Sequence, residues 1–121
     1  MRAQIKKAAD AVEFETAERC FIVEVANDGG DEWVSIARAR VAPGVTTAWH
    51  KLTDTAERYI IVQGRGRVQI GAGEPVTVNA GDVVRIPADT AQRIENVGTS
   101  DLIFYAVCSP PFKRECYISL E

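Results

Sequence analysis

One histidine, three cysteines and seventeen carboxylates are the groups of this 121-residue sequence best able to hold a metal or move a proton. The histidine, His50, stands alone, so one copy of the chain cannot supply a centre of two or three imidazoles. A metal held here has to lean on carboxylate, amide, thiol or water. Cys20, Cys108 and Cys116 are odd in number and lack Cys-x-x-Cys spacing, which argues against a disulfide framework and a structural zinc site. A reducing compartment fits them best, and a cytoplasmic protein is expected.

His50 belongs to a spaced series: Gly44, five residues, His50, one residue, Leu52, four residues, Glu57, six residues, Gly64. A second series follows: Gly81, five residues, Pro87, one residue, Asp89, two residues, Gln92, three residues, Asn96. The two together closely resemble the paired motifs of the cupin family, and two coupled matches at the right separation are far more specific than either alone. The resemblance implies an all-β fold, the double-stranded β-helix or cupin jelly-roll barrel, in a single domain over residues 19–121. It also implies a homodimer paired through outer sheets. In the family pattern a metal is held by two histidines and a glutamate from the first motif and a histidine from the second. Here His50 and Glu57 match, Leu52 stands where the second histidine is expected, and Gln92 stands in the place of the third. Cupin-type phosphomannose isomerases are similar in using a glutamine as a ligand.

Short strands have to position these residues. From Cys20 onward, runs rich in Val, Ile and aromatics are punctuated by Gly, Asn and Pro. The runs are Cys20–Ala26, Val34–Val41, Thr46–Leu52, Glu57–Gln63, Arg67–Ile70, Glu74–Val78, Val83–Ile86, Ala91–Asn96 and Leu102–Cys108. Nine short strands with tight turns form a barrel or a two-sheet sandwich. Alternation at Val34 and Ile36 around Ser35, and at Val76 and Val78 around Thr77, predicts a buried and a wetter face. Residues 1–18 are expected to form an arm or short helix. The segment after Ser109-Pro110-Pro111 cannot continue a central strand and is expected to pack across the outside.

Strand geometry places His50 with Leu52 on one face, Glu57 with Tyr59 on another, and Gln92 with Ile94 and Asn96 on a third. A barrel brings the imidazole, carboxylate and amide toward one interior point. His50, Glu57 and Gln92 as ligands would suit a divalent ion such as manganese, iron, nickel or zinc. Glu57 and Tyr59 are the candidate catalytic groups. Plainer readings stand beside these. His50 would be a core histidine bonded to Glu57, Gln92 a buried amide satisfied by backbone, Tyr59 a core residue, and Cys108 either a small hydrophobe or a thiol near the pocket. Arg65, Arg67, Arg85 and Arg93 read as a solvated exterior, and Trp33 and Trp49 as packing residues.

A formal net charge of -3 argues against a nucleic-acid partner. No apolar stretch approaches a membrane span, so no membrane partner is expected either. The expected function is binding of a divalent metal and a small oxygen-bearing molecule, with isomerase, lyase or dioxygenase chemistry. The alternative is a non-catalytic small-molecule-binding or regulatory barrel whose metal site has decayed.

Overall fold

The computed structural model describes residues 1–121 as eleven strands and two single-turn 3-10 helices. The strands are β1 (Phe14–Glu15), β2 (Phe21–Ala26), β3 (Ser35–Val41), β4 (His50–Leu52), β5 (Ala56–Gln63), β6 (Arg65–Ile70), β7 (Val76–Asn79), β8 (Val83–Ile86), β9 (Gln92–Asn96), β10 (Leu102–Ser109) and β11 (Tyr117–Ser119). They pair antiparallel into a six-stranded sheet ordered β1-β2-β3-β10-β5-β8 and a five-stranded sheet ordered β11-β4-β9-β6-β7. The all-β jelly roll implied by the sequence is the fold observed. No helix is long and apolar enough to cross a membrane.

The core lies between the sheets, and alternation along each strand decides who enters it. Along β5, Glu57, Tyr59 and Ile61 point inward while Arg58, Ile60 and Val62 point out. Along β9, the inward set is Gln92, Ile94 and Asn96. Val68, Val78 and Ile94 of the five-stranded sheet pack against Ala39, Val41, Ile61, Val84, Leu102 and Phe104 of the other. Truncating a fully enclosed member such as Ile61 or Ile94 to alanine would cost about 2–5 kcal/mol.

Several local expectations are corrected. In β3 the buried side chains are Ser35, Ala39 and Val41, with Ile36 only partly buried on the other face. The Ser35 hydroxyl accepts the Phe112 N–H at 2.9 Å, which satisfies it in the interior. Val78 is buried but Val76 is 60% exposed, because β7 is an edge strand. Trp33 does not pack and is 70% exposed. Thr46 makes only an isolated bridge to Glu95, so the third run shortens to β4. The tail does not simply cross the outside: it returns as β11, pairing Tyr117 with Leu52 and Ser119 with His50. The N-terminal segment coils only over Ala8–Asp10, and Arg2 N–H bonds Gly30 O at 2.9 Å.

The glycine between β5 and β6 has a double role. Gly64 sits at φ +87, and a Cβ there would lie 2.8 Å from Asp101 O and 3.0 Å from Leu102 Cα. Gly81, at φ +94, has nothing within 4 Å. Both positions disfavour an L side chain, but only Gly64 also meets backbone. We therefore expect Gly64→Ala to lose about 2–4 kcal/mol in urea unfolding and Gly81→Ala about 1–2 kcal/mol. Equal losses would show that the close approach of the Asp101 backbone is unimportant.

Candidate functional site

Three strands deliver the chemical groups. β4 carries His50, β5 carries Glu57 and Tyr59, and β9 carries Gln92, which is the direct cross-strand partner of His50. Glu57 and Tyr59 come from the six-stranded sheet, and Gln92 and His50 from the other, so the site spans the two layers. The sequence-derived set is thus brought together at one end of the barrel.

Gln92 is completely buried and uses both ends of its amide. Its Nε2 donates to Glu57 Oε1 at 2.6 Å, and its Oε1 accepts from the Tyr59 hydroxyl. With the Tyr59 hydroxyl donating to the amide carbonyl, the NH2 end is left to donate to Glu57. The second Glu57 oxygen is approached by Cys108 Sγ at 3.6 Å. Burial holds the Glu57 carboxyl above its usual range, although the Gln92 bond and nearby His50 pull it down. Burial likewise raises Tyr59 well above the ordinary phenol value, with Glu57 adding to the effect. Tyr59 also packs on Phe104, ring centroids 4.3 Å apart.

His50 is oriented independently. Its Nδ1 lies 2.7 Å from Ala48 O, so this nitrogen carries the proton and Nε2 is left as an acceptor. Every fully inaccessible side-chain nitrogen and oxygen has a partner. Nε2 has none, so it is not fully enclosed, and His50 is one of the residues that line a cavity. Glu18 Oε2 lies 3.8 Å from Nδ1, and Tyr117 stacks on the ring at 4.8 Å between centroids. The expected bond between His50 and Glu57 is absent; the partner of His50 is backbone, and that of Glu57 is Gln92.

The cavity, about 50 Å³, is lined by His50, Glu57 and Tyr59 together with Glu18, Cys20 and Tyr117. Leu52, Phe104, Ala106 and Phe112 supply its apolar wall. Leu52, which replaces a family histidine, is an apolar seat. The Cys20 thiol is pushed up to about 12 by burial and by Glu18, so it stays protonated. Burial and Glu57 push Cys108 up as well. Glu18 and Tyr117 were not singled out from the sequence. Glu18 had a signal, since it lies two residues before Cys20 at the start of β2; Tyr117 had none, because its place depends on the tail returning beside β4. The tail is latched by Arg19, which donates to Glu121 at 3.1 and 2.9 Å, and by Trp49 N–H, 2.7 Å from the same carboxylate.

This donor set does not fit a resident divalent ion. Although Glu18, Cys20, His50 and Glu57 share the cavity, no three His, Cys, Asp or Glu side chains are grouped so that they could hold a metal ion. Gln92 Oε1 already accepts from Tyr59, and both Glu57 oxygens are engaged. Of the expected ligands, only His50 offers a free donor atom. Binding an ion with Gln92 would require its amide to turn over and give up the bond to Glu57.

Comparison with known proteins supplies the family context. The model of the family described as Cupin domain matches residues 37–108. An uncharacterized protein of Methanocaldococcus jannaschii is 36% identical over 81 residues, 67% of this chain and 64% of its own length. A Thermotoga maritima protein called oxalate-binding protein is 38% identical over 71 residues, 59% of this chain and 58% of its own. The chain therefore spans less than two thirds of the length of either relative. The crystal structure of a predicted oxalate decarboxylase from Thermotoga maritima superposes with a TM-score of 0.79 at 23% identity, covering 88% of this chain and 99% of the other.

Two predictions test the buried triad. Gln92→Ala strands a carboxyl and a phenol and opens a void, so it should cost about 2–4 kcal/mol in urea unfolding. A loss under about 1 kcal/mol would mean that water replaces the amide. The second concerns pH. Because burial raises Glu57 above 4.5 in the folded state, the protein binds that proton more tightly than the unfolded chain. The stability this contributes is complete below the unfolded value and is lost as pH rises through the folded one. Glu57→Gln removes the loss, so the variant's melting point should gain on the wild type as the pH rises from the ordinary carboxyl value of 4.5 through the folded-state one. A gap independent of pH would show that Glu57 titrates normally.

Proposed function

The chain belongs to the cupin family, and on that premise we propose that its barrel binds a compact, uncharged molecule bearing hydroxyl or carbonyl oxygens, on which His50 and Glu57 move a proton. The observation that carries this is the composition of the lining: carboxylates Glu18 and Glu57, one imidazole, and no lysine or arginine. A small dianion would find no lysine or arginine in the lining to receive it. A neutral hydroxyketone or polyol meets an acceptor at His50 Nε2, a carboxyl at Glu57, and apolar surface at Leu52 and Phe104. The volume corresponds to about four waters, which restricts the ligand to a few heavy atoms.

The chemistry follows from the proton positions. His50 Nε2 accepts a proton from the carbon beside the ligand carbonyl, giving an imidazolium whose Nδ1–H stays on Ala48 O and whose charge is met by Glu18. Protonated Glu57 gives its proton to the carbonyl oxygen, so one proton leaves carbon as one arrives on oxygen and an enediol results. His50 then gives its proton to the former carbonyl carbon while the Glu57 carboxylate takes the proton of the other hydroxyl, which completes an isomerisation with both groups restored. Burial, which raises the Glu57 carboxyl above its usual range, favours the donor role. Tyr59 acts as a positioning residue through Gln92, its hydroxyl being spent on the amide.

Thermal shift distinguishes the possibilities. Dihydroxyacetone at saturating concentration should raise the melting point by a few degrees at pH 7, and His50→Ala should abolish the rise. Oxalate, and manganese, iron, nickel or zinc ions, should leave the wild type unshifted. A His50-dependent rise with a metal ion or oxalate, and none with the neutral compound, would overturn the proposal in favour of the His50, Glu57 and Gln92 metal site.

A further inference from the structure

The outer face of the six-stranded sheet carries a charge arrangement that the barrel interior does not use. On β3, Arg38 and Arg40 are neutralised: Arg40 bonds Glu13 at 2.7 Å and Asp101 at 3.5 Å, and Arg38 lies 3.9 Å from Glu13. Two strands away the pattern changes. Arg58 of β5 and Arg85 of β8 are direct cross-strand partners, both exposed and on the same face. No carboxylate lies within ion-pair distance of either. Like charges placed opposite one another on adjacent strands destabilise a sheet. This pair is left uncompensated by the rest of the chain.

The same two arginines line a cavity of about 440 Å³ whose other walls are Ala56, Glu57, Ile86 and Pro87. That volume lies within the range of small-molecule sites. Glu57 contributes no charge there, since its carboxylate is turned into the barrel and held by Gln92. Arg58 Nη1 donates to Ser109 Oγ at 2.9 Å, which steadies one guanidinium and leaves a hydroxyl hydrogen free to donate. The next row on this face is the directly opposed pair Ile60 and Val83, 41% and 58% exposed. Two guanidinium forks beside an apolar shelf match the chemistry of a carboxylate or phosphate group attached to a small apolar body.

We propose that the cleft between Arg58 and Arg85 is a binding site for a small organic anion, separate from the barrel pocket and independent of what that pocket binds. The test is calorimetric titration at low salt with phenyl phosphate and with phenylacetate, which separate a phosphate from a carboxylate preference. The expected result is one equivalent of at least one probe bound by the wild type. Affinity should fall about tenfold or more in Arg58→Gln and in Arg85→Gln, and should be unchanged in His50→Ala. Without a probe, Arg85→Gln should melt about 1–3 °C above the wild type, because removing one of two opposed like charges relieves the sheet. Binding of neither probe, wild-type affinity in both arginine variants, or loss of binding in His50→Ala would overturn the proposal. A lower melting point for Arg85→Gln would also count against it, as it would assign the pair a structural role.

Discussion

A single amide ties the two layers of this barrel together at the end that holds the pocket. Gln92 belongs to the five-stranded sheet, yet both of its hydrogen bonds go to β5 of the other, one to Glu57 and one to Tyr59. Four residues along the same strand, Asn96 makes the corresponding stitch at the far end, donating to Val41 O and Ser100 O at 2.8 Å each. Ile94, between them, packs in the core. The inward face of β9 thus reads amide, hydrocarbon, amide, and sets both the spacing of the sheets and the direction of the Glu57 carboxylate. Because the amides are fully enclosed, their bonds are made without competition from water, and leaving either unpaired is costly.

The same constraint shapes what the site can accept. A glutamine whose two ends are committed cannot also serve as a free ligand, and the carboxylate it holds is buried where its charge is disfavoured. Burial in this wall therefore favours the protonated form of the Glu57 carboxyl. In His50 the backbone bond fixes the proton on one ring nitrogen and leaves the other without a protein partner. The positive charge that an anion would need lies outside, on the β5 and β8 face, so the molecule separates an acidic interior from a basic exterior surface on the same pair of strands.

Much of this was legible in the residue order, and the reasons differ by residue. The shared faces of His50 with Leu52, of Glu57 with Tyr59, and of Gln92 with Ile94 and Asn96 follow from a period of two, which survives errors in strand boundaries. The interior of β3 was misread because size misleads there: Ile36 is the larger side chain, but the enclosed position goes to Ser35, whose hydroxyl has the Phe112 N–H to satisfy it. The hydrogen-bond partners of His50 and Glu57 were not legible at all. The Gln92 bond to Glu57 depends on which sheet faces which, which no local pattern encodes, and the Ala48 carbonyl that holds His50 lies two residues back in the irregular segment before β4. Glu18 and Tyr117 entered the site by the same route, as long-range consequences of where the two ends of the barrel run.

The return of the tail beside β4 has a consequence for the order in which the molecule matures. A ribosome delivers β4, β5 and β9 well before β11, so the buried amide, carboxylate and phenol can assemble while His50 still has one bare ring face. Only when Tyr117 emerges does its ring cover the imidazole, and only when Glu121 follows can Arg19 fasten the two ends across the opening. The pocket is therefore the last part of the barrel to be closed, and a chain halted before Tyr117 would possess the wall of Gln92, Glu57 and Tyr59 but not the ring that covers His50.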